Sequence, residues 1–330
     1  MTDRAILFLQ LGGPENLDEV PGFLYRLFSD PDVIRVRPAL LRKAIAASIA
    51  LGRKSASREL YRSIGGGSPI RRLTEEQAAG VERLLRQSGR DADVRAAMNC
   101  SNPFVENVVR DLAAAGARRF LALPLYPQYS LTTTKGALER AREAVRRFAP
   151  GASLSEVGSW PTHPLFVQAH AEGVREAIAG FPDPRPEAVH LLFSAHSIPK
   201  KLVTREGDPY QREVEASVSA VRASLGDRSP WTLAYQSKLG PIEWLGPASL
   251  DAIGALGRAV EKQVLVVPIA FVTDHVETLY EVDQLFAGEA KKAGIPEFRR
   301  TPGLNSRPTF LKALEDLILS QTAFWRERAA

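Results

Sequence analysis

The chain has 330 residues, 45% hydrophobic and 25% charged, which is more than one compact core usually holds and predicts two domains or one with a large elaboration. Its 43 Lys and Arg exceed its 38 Asp and Glu by a formal net charge of +5. That mild surplus suits an anionic ligand or membrane surface. No basic stretch interleaves with aromatics as a nucleic-acid groove would, so no nucleic-acid partner is expected. The single cysteine, Cys100, excludes an internal disulfide, a CxxC redox pair, a cysteine-rich zinc site and a cysteine-ligated iron–sulfur cluster.

In chain order, an apolar run at 5–11 comes first, closed by Gly12-Gly13-Pro14, with no three-part signal peptide ahead of it. No later run approaches the length of a membrane-spanning helix, so the expected location is cytoplasmic. Residues 33–60 set Arg35, Arg37, Arg42, Lys43, Arg53, Lys54 and Arg58 among Leu40, Leu41, Ala44, Ile45, Ile49 and Leu51. On a helix this spacing lays an apolar stripe beside a basic face. Such a helix either packs on its own domain or forms a lip that closes over an apolar ligand or touches a membrane. Gly65-Gly66-Gly67-Ser68-Pro69 then makes a flexible loop that matches no phosphate-binding loop. Helices are predicted over 75–87, 104–115, 136–148, 164–179 and 210–224, and strands over 94–98, 120–125, 153–157, 189–193, 231–235 and 264–271. Strand–helix alternation at this spacing predicts parallel sheets with helices on both faces and right-handed crossovers. No GxGxxG follows the first strand and no GxSxG elbow occurs, which removes the sequence support for dinucleotide binding or an α/β-hydrolase.

Two segments carry the chemistry. SAHSIP puts His196 just past the 189–193 strand, and TDHVETLYE puts Asp274, His275, Glu277 and Glu281 just past the 264–271 strand. Open α/β sheets place their ligands at such carboxyl ends. A neutral imidazole at His196 can accept a proton or bind a divalent metal. Asp274, Glu277 and Glu281 are spaced i, i+3 and i+7, so a helix starting here aligns them on one face. Clustered carboxylates raise one another's proton affinity and suit proton relay or capture of a hydrated cation. Asp274-x-x-Glu277 also fits a capping box. One histidine with carboxylates is a poor permanent zinc cage but a plausible transient site.

These segments, with LGGPE, LFSDPDVI, YRSIGGGSPIRRLTEEQ, LYPQYS, GDPYQREV, YQSKLGPIEWLGP and PGLN, make the chain resemble the ferrochelatases, enzymes that insert Fe(II) into a porphyrin in haem synthesis. The resemblance covers nearly the whole chain. It implies an α/β protein of two Rossmann-like domains, each a parallel sheet flanked by helices: 1–135 plus 306–330, with the porphyrin lip at 33–60, and 136–305 carrying the metal site. It places the metal-site histidine on His196 and its partner glutamate on Glu277. Glu281 is expected to share the catalysis, with Asp274 and His275 on the acidic path. Leu11, Arg53, Ser68, Tyr126, Ser130 and Trp244 match porphyrin-binding positions, Arg53 as a basic lip residue that can meet a propionate.

The resemblance further implies that Fe(II) is a substrate, that no cofactor is tightly bound, and that no [2Fe–2S] cluster is expected. The porphyrin expected is protoporphyrin IX, since the coproporphyrin branch commonly has tyrosine at the position of Leu11. The expected location becomes cytoplasmic with peripheral contact to the inner membrane through the lip. Coproporphyrin III as substrate, a cobalt chelatase and a porphyrin or haem carrier without turnover are the alternatives. Asn99-Cys100 stands where the family often has Arg-Tyr, so any substrate contact of that arginine is not carried over.

Overall fold

A computed structural model describes residues 2–238 and 242–326. In chain order these form β1 (Arg4–Gln10), α1 (Val20–Ser29), α2 (Ala39–Ser63), α3 (Ile70–Gln87), β2 (Asp93–Met98), α4 (Val105–Ala114), β3 (Arg119–Pro124), α5 (Thr134–Phe148) and β4 (Ser153–Glu156). There follow α6 (Pro164–Ala179), β5 (His190–His196), α7 (Lys200–Glu206), α8 (Tyr210–Ser224), β6 (Trp231–Gln236), α9 (Ser249–Arg258) and β7 (Gln263–Pro268). A π-helix (Glu277–Phe286) runs into α10 (Ala287–Lys292), and β8 (Glu297–Arg300), α11 (Pro308–Leu319) and α12 (Thr322–Trp325) complete the order. Residues 239–241, inside the YQSKLGPIEWLGP segment, lie outside the described residues.

The chain divides into two compact units. The first holds the described residues up to Tyr126, Leu131–Ser159 and those from Leu311 onward; the second holds Pro127–Ser130 and Trp160–Phe310. Each has a four-stranded sheet of parallel strands, ordered β2-β1-β3-β4 in the first and β6-β5-β7-β8 in the second. The two Rossmann-like sheets expected from the sequence are therefore present, and they share one strand order.

The expected boundary at 135/136 falls inside the first unit. β4 extends the first sheet by pairing with β3, from Arg119↔Ser153 to Ala122↔Glu156. Ala137, Leu138, Ala141, Ala144 and Val145 of α5 share a core with Leu7 and Leu9 of β1 and Phe120 of β3. The chain rejoins the first unit at Leu311 rather than at 306.

Central strands β1, β3, β5 and β7 are buried along nearly their whole length. Covered on both faces, they read as continuous apolar runs rather than alternating ones, and each fully buried Leu or Phe contributes about 1.5–3 kcal/mol. In both sheets the chain reverses direction across its first strand. That puts the topological switch point, where such folds bind ligands, at the carboxyl ends of β1 and β3 in one unit and of β5 and β7 in the other. At the first, Gly12 has φ +87°, and a Cβ there would overlap Ser101 Oγ. Only glycine turns the chain so tightly out of β1.

The 33–60 segment is largely α2, which packs on α1. Its buried positions are Ala46, Ala50, Ser57 and Tyr61, one narrow face of mostly small residues. The larger apolar residues lie elsewhere on the helix: Leu40 is 80% exposed and Leu51 64%. Eleven residues apart, they share one side, which is not the packed face.

Candidate active site

At the second unit's switch point, His196 is the last residue of β5, paired across the ladder with Gln236 of β6. Its Nδ1–H donates to the Ser197 carbonyl at 2.6 Å. That bond occupies Nδ1 as a donor and leaves Nε2 as the nitrogen able to meet a proton or a metal. Ser197 is held in turn, its hydroxyl donating to Leu245 O at 3.0 Å. Phe271 packs edge-on to the His196 ring, with centroids 6.5 Å apart, and to the His275 ring at 4.8 Å.

The carboxylates follow β7. That strand ends at Pro268, short of the expected Phe271, and the helix that follows is wound as a π-helix beginning at Glu277. Its i→i+5 bonding gives a wider turn, so residues four apart stay on one side, and Glu277 and Glu281 form a pair. Glu281 Oε2 accepts from Gln236 Nε2 at 2.8 Å and Ser237 Oγ at 2.6 Å. Burial and the neighbouring charge of Glu277 nonetheless push its carboxyl above the ordinary glutamate range, against those two donors and His196. Gln236 Nε2 also donates to Glu277 O at 3.0 Å, and its Oε1 accepts from Ser194 Oγ at 2.6 Å. One glutamine thereby ties β5, β6 and the π-helix together.

His275 donates from Nδ1 to Thr273 O at 2.8 Å, which turns Nε2 toward Glu277 Oε2 at 3.0 Å. The approach is out of hydrogen-bond alignment, and Glu277 Oε2 is a buried acceptor with no hydrogen-bond partner. Such an atom is costly unless something else arrives to satisfy it.

Asp274 departs from expectation. It precedes the helix instead of sharing a face with Glu277 and Glu281, because the helix starts later than the sequence spacing assumed. Its Oδ1 accepts from Arg300 Nη1 at 2.8 Å and Thr278 Oγ1 at 2.9 Å; Oδ2 accepts from Asn305 Nδ2 at 2.8 Å and Gly303 N at 3.2 Å. Burial alone would raise its proton affinity, but Arg300 and the three other donors outweigh burial and hold the carboxyl below the usual aspartate range. A Cβ on Gly303 would stand 3.0 Å from Asp274 Cγ, so glycine permits the close approach. The capping-box alternative does not form either, since no Asp274 oxygen accepts a bond from the helix backbone among the described residues.

The family model for ferrochelatase matches residues 3–322. This chain belongs to the ferrochelatase family. It is 43% identical to the ferrochelatase of a Synechococcus species (strain RCC307) over 326 residues, covering 98% of this chain and 84% of that one. It is 41% identical to the ferrochelatase of a Nostoc species over 318 residues, covering 96% and 81%. As a member of this family the protein is a metal chelatase. Among solved structures, SirB from Bacillus subtilis with Fe3+ aligns with a TM-score of 0.51 at 14% identity, over 75% of this chain and 89% of that one. That likeness bears on the fold alone.

The ferrochelatase-like porphyrin positions divide between the units. In the first, Leu11 and Tyr126 leave β1 and β3 at the switch point, and the Leu11 carbonyl accepts from Cys100 N at 2.9 Å. The Tyr126 hydroxyl is buried without a hydrogen-bond partner, and burial raises its pKa. Ser68 is turned inward against Gly13, and its Oγ accepts from Ile70 N at 3.4 Å at the start of α3. Arg53 is exposed on α2, its guanidinium 6.0 Å from the centroid of the Phe28 ring. In the second unit, Ser130 is buried and donates to Asp208 Oδ2 at 2.9 Å, and Asp208 Oδ1 accepts from Tyr210 N at the start of α8. Trp244 is half-buried and bridges to Pro199, in the turn after His196. The residues that sequence reasoning missed are Arg300 and Asn305. The PGLN motif pointed at Asn305, but nothing local to EFRR marks Arg300.

Proposed function

We propose that the protein inserts Fe(II) into protoporphyrin IX to form protohaem, with release of two protons, in haem biosynthesis. Glu277 Oε2 carries this reading: a buried carboxylate oxygen without a hydrogen-bond partner, on the same switch point as an imidazole whose Nε2 is free. Insertion needs two pyrrole protons to leave and the nitrogen lone pairs to reach the metal. His196 Nε2 accepts a proton or holds the iron, and Glu277 does the complementary task. Glu281, whose proton affinity is raised, passes protons onward. Binding of the remote ring edges bends the macrocycle and exposes those lone pairs. Leu11, Arg53, Ser68, Tyr126, Ser130 and Trp244 are the proposed porphyrin contacts. An apolar Leu11 suits protoporphyrin IX, which carries vinyl groups where coproporphyrin III carries propionates. Peripheral membrane contact through Leu40, Leu51 and the basic residues of α2 completes the proposal, with a cytoplasmic body.

The test is anaerobic insertion by the purified enzyme with Fe(II) and each porphyrin. His196→Ala and Glu277→Gln are expected to lose about 10²–10⁴-fold in kcat. Near-normal rates in both, with folding intact, would refute the site. A higher kcat/KM for coproporphyrin III would overturn the substrate. Binding without metallation would favour a carrier, and insertion of Co(II) but not Fe(II) a different chelatase.

A further inference from the structure

Arg300 reaches both ends of the segment that carries the two glutamates. It is the last residue of edge strand β8, and its side chain is only 10% exposed. Its Nη1 donates to Asp274 Oδ1 at 2.8 Å, before the π-helix. Its Nε and Nη2 donate to Asp283 Oδ1 and Oδ2 at 2.8 and 2.9 Å, two residues beyond Glu281. Nη1 also donates to its neighbour's carbonyl, Thr301 O, at 3.0 Å. One planar guanidinium thus closes residues 274–283 into a loop, with Glu277 and Glu281 inside it. The forked contact with Asp283 fixes direction as well as distance, which an ammonium would not do. No contact places Arg300 on the reacting atoms.

We propose that Arg300 is a positioning residue for metal insertion: by pinning Asp274 and Asp283 together it holds the π-helix in the register that aims Glu277 Oε2 and Glu281. The inference rests on the function proposed above. It also assigns Asp274 to this clamp, in place of the acidic path expected from the sequence. Without the clamp, Gln236 and Ser237 would still hold Glu281 and the Glu277 carbonyl, but neither end of the segment would be tied to β8, and the Glu277 side chain would turn.

The experiment measures anaerobic Fe(II) insertion into protoporphyrin IX by Arg300→Lys and Asp283→Asn, alongside porphyrin binding and thermal unfolding. Asp283 has a side chain 40% exposed, so Asp283→Asn cuts the helix-side contact with little risk to folding. Both variants are expected to lose about 10–100-fold in kcat, the usual cost of losing a supporting contact, with porphyrin Kd within about twofold and kcat falling without a rise in KM. Combining them should cost little more than Arg300→Lys alone, since the two cut the same clamp. Normal kcat in a folded Asp283→Asn would overturn the clamp, as would losses that simply multiply in the double variant. If His196→Ala and Glu277→Gln are inactive while Asp283→Asn is normal, the clamp fails and the site stands. If those two remain active, the site itself fails.

Discussion

Replacing Asp274 with asparagine separates a clamp residue from a path residue. The carboxylate accepts four bonds, two at each oxygen, in a side chain 12% exposed. An asparagine of the same shape keeps one acceptor and turns the other position into a donor. Placed at Oδ2, its amide faces Asn305 Nδ2 and Gly303 N. Asn305 cannot flip to help, because its Oδ1 already accepts from Asp274 N at 2.9 Å. Placed at Oδ1, the amide faces Arg300. Either way at least one buried donor is left unsatisfied, costing about 1–3 kcal/mol, and one charge-assisted bond is weakened by about 1 kcal/mol more. The expected loss is about 2–4 kcal/mol, or roughly 5–15 °C in Tm for a unit of this size.

Denaturant unfolding at neutral pH measures that loss, and insertion assayed well below the melting temperature measures activity per folded molecule. The Asp274 carboxyl is held below its usual range. Its contribution is therefore complete above the unfolded value, about pH 4, and is lost only as pH falls through the lower folded value. The gap between parent and variant should accordingly stay constant from pH 5 to pH 8. An Asp274→Asn protein with unchanged stability and a collapsed insertion rate would refute the reasoning and return Asp274 to the proton or metal path.

Two further outcomes follow from groups outside the site. His170 is buried in α6 against Phe166, its Nε2 has no hydrogen-bond partner, and burial lowers its pKa to about 3. The unfolded chain takes that proton near pH 6.5, so this contribution is whole above 6.5 and is lost progressively as pH falls toward 3. At pH 5.5 the loss is about 1.4 kcal/mol. His170→Leu should lose less stability than the parent between pH 7.5 and 5.5 by that amount, read by urea unfolding, and equal slopes would count against it. On α2, Leu40→Glu with Leu51→Glu should cut sedimentation with anionic phosphatidylglycerol vesicles at least tenfold, since each leucine withdrawn from water is worth about 1.5–3 kcal/mol. Unchanged partitioning would remove the lip from the membrane.

The four central strands were legible because parallel strands covered on both faces keep only apolar residues. β8 escaped notice for the converse reason: Glu297, Phe298, Arg299 and Arg300 are all half-buried on a sheet edge, where charge is tolerated. The chemistry of His196 and Glu277 was visible because both leave buried strands or the turns after them. Helix register was not visible. Spacing alone put Asp274 on a face with Glu277 and Glu281, but the π-helix begins at Glu277 and Asp274 turns to Arg300, 26 residues on. Long-range ion pairs of this kind leave no local periodicity to read.

Occupancy of the carboxylates bears on how a chelatase handles a metal that must also depart. Asp274 is saturated by four donors, and Glu281 Oε2 already accepts from Gln236 and Ser237. His275 has one nitrogen on Thr273 and leans the other toward Glu277. Among the described residues, His196 Nε2 and Glu277 Oε2 accept no hydrogen bond at this switch point, the latter with His275 Nε2 3.0 Å away. A structural zinc site uses four ligand donors and holds its metal by about 10–16 kcal/mol, far too tightly for turnover. On the function proposed above, two donors of mixed type would bind an incoming Fe(II) loosely enough for porphyrin nitrogens to take it over. On that reading they are also the groups that would accept the protons those nitrogens give up. Adding a third firm ligand beside His196 should therefore raise metal retention and lower insertion together.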